Sequence, residues 1–184
     1  MQILLRISRI IDAIVEWIGR LTYWLMLLMI FIGVYNVFGR YLGRSIQQKL
    51  TSNAFLNIQS YLFDLIFLLG AAYVLKYDGH VRVDLFYKKW NRKQKALANL
   101  LGTFLFLIPF STTILYYAWS PVIKSWQIWE ISPNADALPL YPIKSVLIIS
   151  FVLLIFQGIS EAIKNLAILT DQLPPQEGDR HSGL

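Results

Sequence analysis

Four stretches of the chain run without charge for long enough to cross a bilayer. Leu21 to Gly39, between Arg20 and Arg40, contains no proline and comes close to the ~20 residues that a spanning helix needs. Leu50 to Leu75 is uncharged apart from Asp64, and its densest part runs from Ala54 to Lys76. Ala96 to Ile123 carries no charge over more residues than a bilayer requires, which leaves room for tilt, and Pro109 predicts a bend within it. The fourth begins near Pro139 and Pro142, both suited to a first helical turn, and its uncharged core runs from Ser145 to Ser160. The pattern predicts an all-α membrane protein with spans at 20–40, 54–76, 96–119 and 141–163 inside a four-helix domain of residues 20–168.

Outside the spans the pattern changes. In residues 1–19, Ile3, Ile7, Ile10, Ile11, Ile14 and Ile18 recur at helical spacing, with Arg6, Arg9, Asp12, Glu16 and Arg20 roughly opposite. This predicts an amphipathic N-terminal helix lying at the membrane surface, and the same charges break the apolar core that a secretory signal would need. Between the second and third spans, Val83, Phe86, Tyr87 and Trp90 share a stripe, with Arg82, Lys88, Lys89 and Arg92 mostly elsewhere. That segment reads either as a second interfacial helix against anionic phospholipid or as an ordinary basic loop. The tail, 169–184, is rich in Pro and Gly with little to bury and is expected to be disordered.

An even number of spans puts both termini on one side. Twelve Lys and Arg residues fall on the side of the termini and the Asp78–Lys95 connection, against five (Arg40, Arg44, Lys49, Lys124, Lys144) on the other. The positive-inside rule therefore predicts cytoplasmic termini. Trp17 and Trp90 then mark the inner interface and Trp119, Trp126 and Trp129 the outer one, while Trp24 fits less well. The hydrophobic share of 56% and mean hydropathy of +0.50 argue against a soluble domain, so the net charge of +6 is read as membrane topology rather than as a nucleic-acid surface.

Candidate chemistry is sparse. The chain has no cysteine and its two histidines, His80 and His181, cannot clamp an intramembrane haem or form a metal triad, so no metal or cofactor is expected. No phosphate-binding loop, nucleophile elbow or metalloprotease signature occurs, and no enzyme activity is expected. Asp64 is the one ionisable residue well inside a span and shares a helical face with Asn57, Ser60 and Ala71. Such a carboxyl is either a proton- or cation-carrying site or a group that cements helices. Asn36, Ser111, Thr112, Thr113, Ser150, Gln157 and Ser160 read as interhelical glue, and Gly33, Gly70, Ala71 and Ala72 as points of close backbone approach. Discontinuous helices and internal repeats, from which an independent transporter is built, are not evident. In the outer connection, Trp119, Trp126, Trp129 and Glu130 form a candidate docking surface, the plainer reading being an interfacial belt with a turn.

One resemblance sharpens this picture. Phe67-Leu-Leu-Gly-Ala-Ala-Tyr73 followed by Asp78-Gly-His-Val-Arg-Val-Asp84 resembles the signature of the small membrane subunit of tripartite ATP-independent periplasmic (TRAP) transporters, the DctQ-like subunit. Asn36-Val-Phe-Gly-Arg40-Tyr41 resembles the end of that family's first span, and Ser125-Trp126 with Ser132-Pro133 its outer connection. Many members open the second span with Trp and an acidic pair, whereas Asn53 to Gln59 here holds no acid. The resemblance implies a noncatalytic scaffold in the bacterial inner membrane, clamped to a large elevator-type subunit that binds sodium and takes up an organic acid. It also implies a soluble periplasmic substrate-binding protein as a further partner. Arg40, Tyr41, His80, Arg82, Asp84, Lys88 and Lys89 are then the candidate contacts to partner or lipid. The reading from another class is a small autonomous proton-coupled exporter that uses Asp64.

Overall fold

The computed structural model describes residues 2–79, 90–133, 136 and 138–172. Helix α1 (Gln2–Ser45) is followed by α2 (Ala54–Lys76), α3 (Arg92–Gly102), a π-helical turn (Thr103–Leu107), α4 (Ile108–Gln127) and α5 (Tyr141–Leu169). With α3, the π turn and α4 running on as one rod, four helical rods among the described residues are long and apolar enough to cross a membrane. The chain has no strand among the described residues, only an isolated antiparallel bridge between Ile131 and Pro139.

The core is small and polar, the reverse of a soluble bundle. Ser8, Val15, Thr22, Asn36 and Gly43 are buried along α1, while Trp17, Trp24, Phe31 and Phe38 stand out at 63–71% exposure. Both sets recur at multiples of seven residues, the spacing that keeps one face of a helix turned to its neighbours. Lipid is as apolar as leucine, so no hydrophobic drive pulls the large side chains inward, and close approach of small residues packs the helices instead. Trp24, which fitted the interfaces less well, is thus part of an outward aromatic ridge. Antiparallel packing of α1 on α2 rests on Gly19, where an added Cβ would lie 2.0 Å from Tyr73 Cδ2, and Gly33, where it would lie 2.5 Å from Gln59 Nε2. Gly70, expected to serve similarly, faces open space with nothing within 4 Å.

Helix α5 is central and contacts every other helix. Its Ser150 hydroxyl donates to the Leu68 carbonyl of α2, and its Gly158 meets the π turn, where an added Cβ would lie 2.7 Å from Leu107 Cδ2. The π turn directly precedes Pro109. Proline lacks the N–H that would bond the carbonyl one turn back and crowds that carbonyl, and widening the preceding turn relieves both problems. Pro109 therefore leaves its mark as a π turn.

The N-terminal segment differs from expectation. It is not a separate surface helix: nothing between Ile18 and Leu21 breaks the hydrogen-bond ladder, and α1 runs on for 44 residues, about 66 Å at ~1.5 Å per residue. Its isoleucines face outward, Ile3 at 76% and Ile10 at 57% exposure, while its polar stripe packs against α5 and α2.

Four helices stop in the same way. Gln47, Asp78, Trp129 and Asp171 take left-handed backbone angles just past α1, α2, α4 and α5. The next amide bonds back to a carbonyl of the last turn: Gln48 to Gly43, Gly79 to Val74, Glu130 to Ser125 and Gln172 to Ala167. These are the bonds of the Schellman motif, here made without glycine at the left-handed position.

Candidate functional site

Two polar assemblies close the bundle at opposite ends. At the end where α1 begins and α5 finishes, Asp12 and Glu16 sit one turn apart on α1, and a different helix supplies the lysine for each. Lys164 of α5 pairs with Asp12 at 2.7 Å, and Lys76 of α2 pairs with Glu16 at 2.6 Å. Asp12 also accepts from the Ser160 hydroxyl (2.8 Å) and the Gln157 amide (3.1 Å). Glu16 accepts from the Tyr77 hydroxyl (2.6 Å) and from Arg20 (3.2 Å). Glu161 adds a second carboxylate to Lys164 at 2.7 Å, and the Ser8 and Ser160 hydroxyls lie 2.7 Å apart beneath. Three acids thus face three bases across three helices. With side-chain exposures of only 16–29% for Asp12, Glu16, Lys76 and Lys164, neither charge of a pair is easily left alone.

Sequence reasoning missed this lock, although its members were in view as a charged stripe and as glue residues. The signal was the matching spacing, Asp12 with Glu16 on α1 against Gln157, Ser160, Glu161 and Lys164 on α5. Beyond it, Lys93 at the start of α3 pairs with Asp171 past the end of α5 at 2.6 Å. His80, Arg82, Asp84, Lys88 and Lys89 lie outside the described residues.

At the other end the connection after α4 folds into a small aromatic corner. The Leu140 amide donates to the Glu130 carbonyl (2.8 Å) and the Ser132 amide to the Leu138 carbonyl (3.1 Å), closing a short hairpin. The Tyr61 hydroxyl of α2 reaches the carbonyls of Leu138 and Pro139, at 3.0 and 2.8 Å, and ties the hairpin to the bundle. Trp126, Trp129 and Tyr141 pack ring to ring, with Trp126 and Tyr141 centroids 4.5 Å apart and Trp129 and Tyr141 5.2 Å apart. The Trp126 indole donates to the Ser145 hydroxyl at 2.8 Å. Glu130 is paired with Lys144, and that ammonium holds its carboxyl below the ordinary value of 4.5.

Trp129 has φ 49°, a backbone conformation that a bulky side chain rarely adopts, and its ring remains 64% exposed beside Ile128 and Ile131 at 70% and 63%. Three of the four candidate docking residues therefore meet here. Trp119 does not join them and lines a separate surface recess with Thr112, Leu115, Tyr116, Tyr117 and Ser120.

Arg40 lies at this same end, donating to Asn36 and Asn53 at 3.3 Å each, with Tyr41 exposed beside it. The residues flanking the 80–89 stretch, Lys76 and Lys93, pair at the terminal end. Of the candidate partner and lipid contacts, only Arg40 and Tyr41 fall among the described residues, and both lie at the end of the bundle that carries the aromatic corner. Asp64 belongs to neither assembly and is exposed on the outside of α2, so the face it shares with Ser60 is not covered by the other three rods.

No group of His, Cys, Asp or Glu among the described residues has the arrangement of a metal site. A family model described as "Tripartite ATP-independent periplasmic transporters, DctQ component" matches residues 29–167, well over half of the chain. No curated protein matches the chain, and no solved structure does.

Proposed function

Because the chain belongs to the DctQ component family of tripartite ATP-independent periplasmic transporters and is a multi-pass membrane protein, we propose that its work is noncatalytic: it scaffolds the large membrane subunit through which substrate passes. The family match over residues 29–167 carries this reading. The structure supports it by the use it makes of charge. Asp12, Glu16 and Glu161 are each engaged by a base that holds helices together, which suits a rigid support better than a site that must release and rebind an ion.

In this reading the terminal end faces the cytoplasm of a bacterial inner membrane, as the excess of Lys and Arg there favours, and the basic 80–89 stretch meets anionic phospholipid. The corner of Trp126, Trp129 and Glu130 faces the periplasm and helps to dock the soluble substrate-binding protein. Sodium and the organic acid bind the large subunit, and the scaffold itself needs no cofactor.

Reconstitution tests this directly. The large subunit is placed in liposomes with and without this chain, the binding protein and substrate are supplied outside, and sodium-driven uptake is measured. Uptake is expected only with the chain present; equal uptake by the large subunit alone refutes the scaffold role. Proton-driven efflux by this chain alone, lost in Asp64→Asn, would instead establish the autonomous exporter.

A further inference from the structure

Asp64 occupies a position that the scaffold reading leaves unexplained. It is the eleventh of the 23 residues of α2, about 15–18 Å from either end at ~1.5 Å per residue, and thus close to the middle of the bilayer. Its side chain is exposed, with no hydrogen bond or ion pair to it among the described residues. The nearby Tyr61 hydroxyl is committed to the carbonyls of Leu138 and Pro139. A carboxyl is costly against hydrocarbon at this depth, and intramembrane carboxyls almost always face protein or water.

The rest of the face is shaped for a helix. Around the helix, Gln59 and Tyr73 turn toward α1, and the Leu68 carbonyl turns toward α5. The remaining third of the circumference carries Ser60, Phe63, Asp64, Phe67 and Val74, all exposed. Phe63 and Phe67 stack at 6.2 Å with their planes 15° apart and form a ridge. Next to it Gly70 leaves a notch in which even an added Cβ would touch nothing within 4 Å. Ridge, notch and a polar group in one stripe are the elements by which membrane helices pair.

We propose that this face of α2 is the seat of the large membrane subunit, which brings a cationic or hydrogen-bond-donating side chain against the Asp64 carboxylate. The proposal rests on the family reading, which supplies a membrane partner. Charge selects that partner over the alternatives. A second copy of this chain would set one carboxylate against another, and a soluble component does not reach the bilayer centre.

The chain contains no cysteine, so single cysteines report without background. Ser60→Cys, Phe67→Cys and Val74→Cys on α2, with Phe31→Cys on α1 and Tyr117→Cys on α4 as references, are coexpressed with the large subunit. Each is labelled in membranes with a photoactivatable maleimide, and the products are identified by mass spectrometry. Adducts with the large subunit are expected from the α2 positions and not from the references. In parallel, Asp64→Lys should reduce co-purified large subunit by about tenfold or more, with Asp64→Asn intermediate, while the thermal stability of the isolated chain is unchanged. Adducts confined to the references, with co-purification intact, overturn the α2 seat and leave the scaffold reading standing. Adducts of the chain with itself at the α2 positions overturn it in favour of a homodimer. Absence of the large subunit from purifications of the unaltered chain overturns both readings.

Discussion

Removing Asp12 should loosen the end of the bundle where α1 begins and α5 finishes, and the expected size can be worked out from its contacts. The carboxylate takes Lys164 at 2.7 Å, Ser160 at 2.8 Å and Gln157 at 3.1 Å. Breaking a fully buried pair costs about 3–5 kcal/mol because the surviving charge is stranded. Here the side chains are 19% and 29% exposed, and Lys164 keeps Glu161, so the stranding is partial. Asp12→Ala is therefore expected to cost about 2 kcal/mol, a fall of roughly 4–8 °C in Tm for a chain of this length. Lys164→Met takes the base from both Asp12 and Glu161, but the stem remains and Asp12 retains Ser160 and Gln157, so a loss of similar size is expected. In the double variant neither member of the pair is left behind, and Glu161 has lost Lys164 just as in the single variant, so the two losses should fall short of additivity by about 1 kcal/mol. Thermal unfolding in mild detergent, followed by tryptophan fluorescence, measures all four corners of this cycle. Additive losses, or an Asp12→Ala loss below about 0.5 kcal/mol, would refute the argument that this pair pins α1 to α5.

The four long apolar helices were legible in the sequence because charge-free length is a strong signal. Helix α2 covers the predicted 54–76, and α5 begins at the predicted Tyr141. The other ends ran longer than predicted, to Gln127 in α4 and Leu169 in α5, since a charged residue ends a membrane span without ending a helix. What the pattern did not show is the polar packing of the first turns. In residues 2–19 the isoleucines were read as a membrane-facing stripe and do point outward, while the opposite stripe of Ser8, Asp12, Val15 and Glu16 packs against the other helices. Periodicity finds the two faces of a helix, but which one turns inward depends on whether the surroundings are water or hydrocarbon. Trp126, Trp129 and Glu130 were singled out in the sequence as contact candidates by type. Their anchors Tyr61, Tyr141 and Lys144 were not, because only the tertiary fold brings α2 and α5 to that corner.

Three further outcomes follow from particular contacts. Gly19→Ala sets a Cβ against the Tyr73 ring and should destabilise the isolated chain by about 1–3 kcal/mol in detergent melts. Gly70→Ala, with free space before it, should leave that melt unchanged, and equal losses for the two would contradict the α1–α2 register. At Trp129, Gly and Ala remove the same ring contacts, but only Gly relieves the left-handed backbone, so Trp129→Gly should be more stable than Trp129→Ala by about 1 kcal/mol while both lose affinity for the binding protein. Titration of co-purified binding protein against each variant checks this, and full affinity in both would remove Trp129 from the docking surface. Glu130 sets the pH response of the same corner. Lys144 lowers its carboxyl pKa in the folded chain, so the stabilisation is fully present above the ordinary value of 4.5 and is lost as the pH falls through the lower, folded value. Fluorescence of the Trp126 and Trp129 corner should therefore hold steady from neutral pH to about 4.5 and change below it. In Glu130→Gln no carboxylate is left to protonate, and the acid change should disappear; its persistence in that variant would assign the transition to another group.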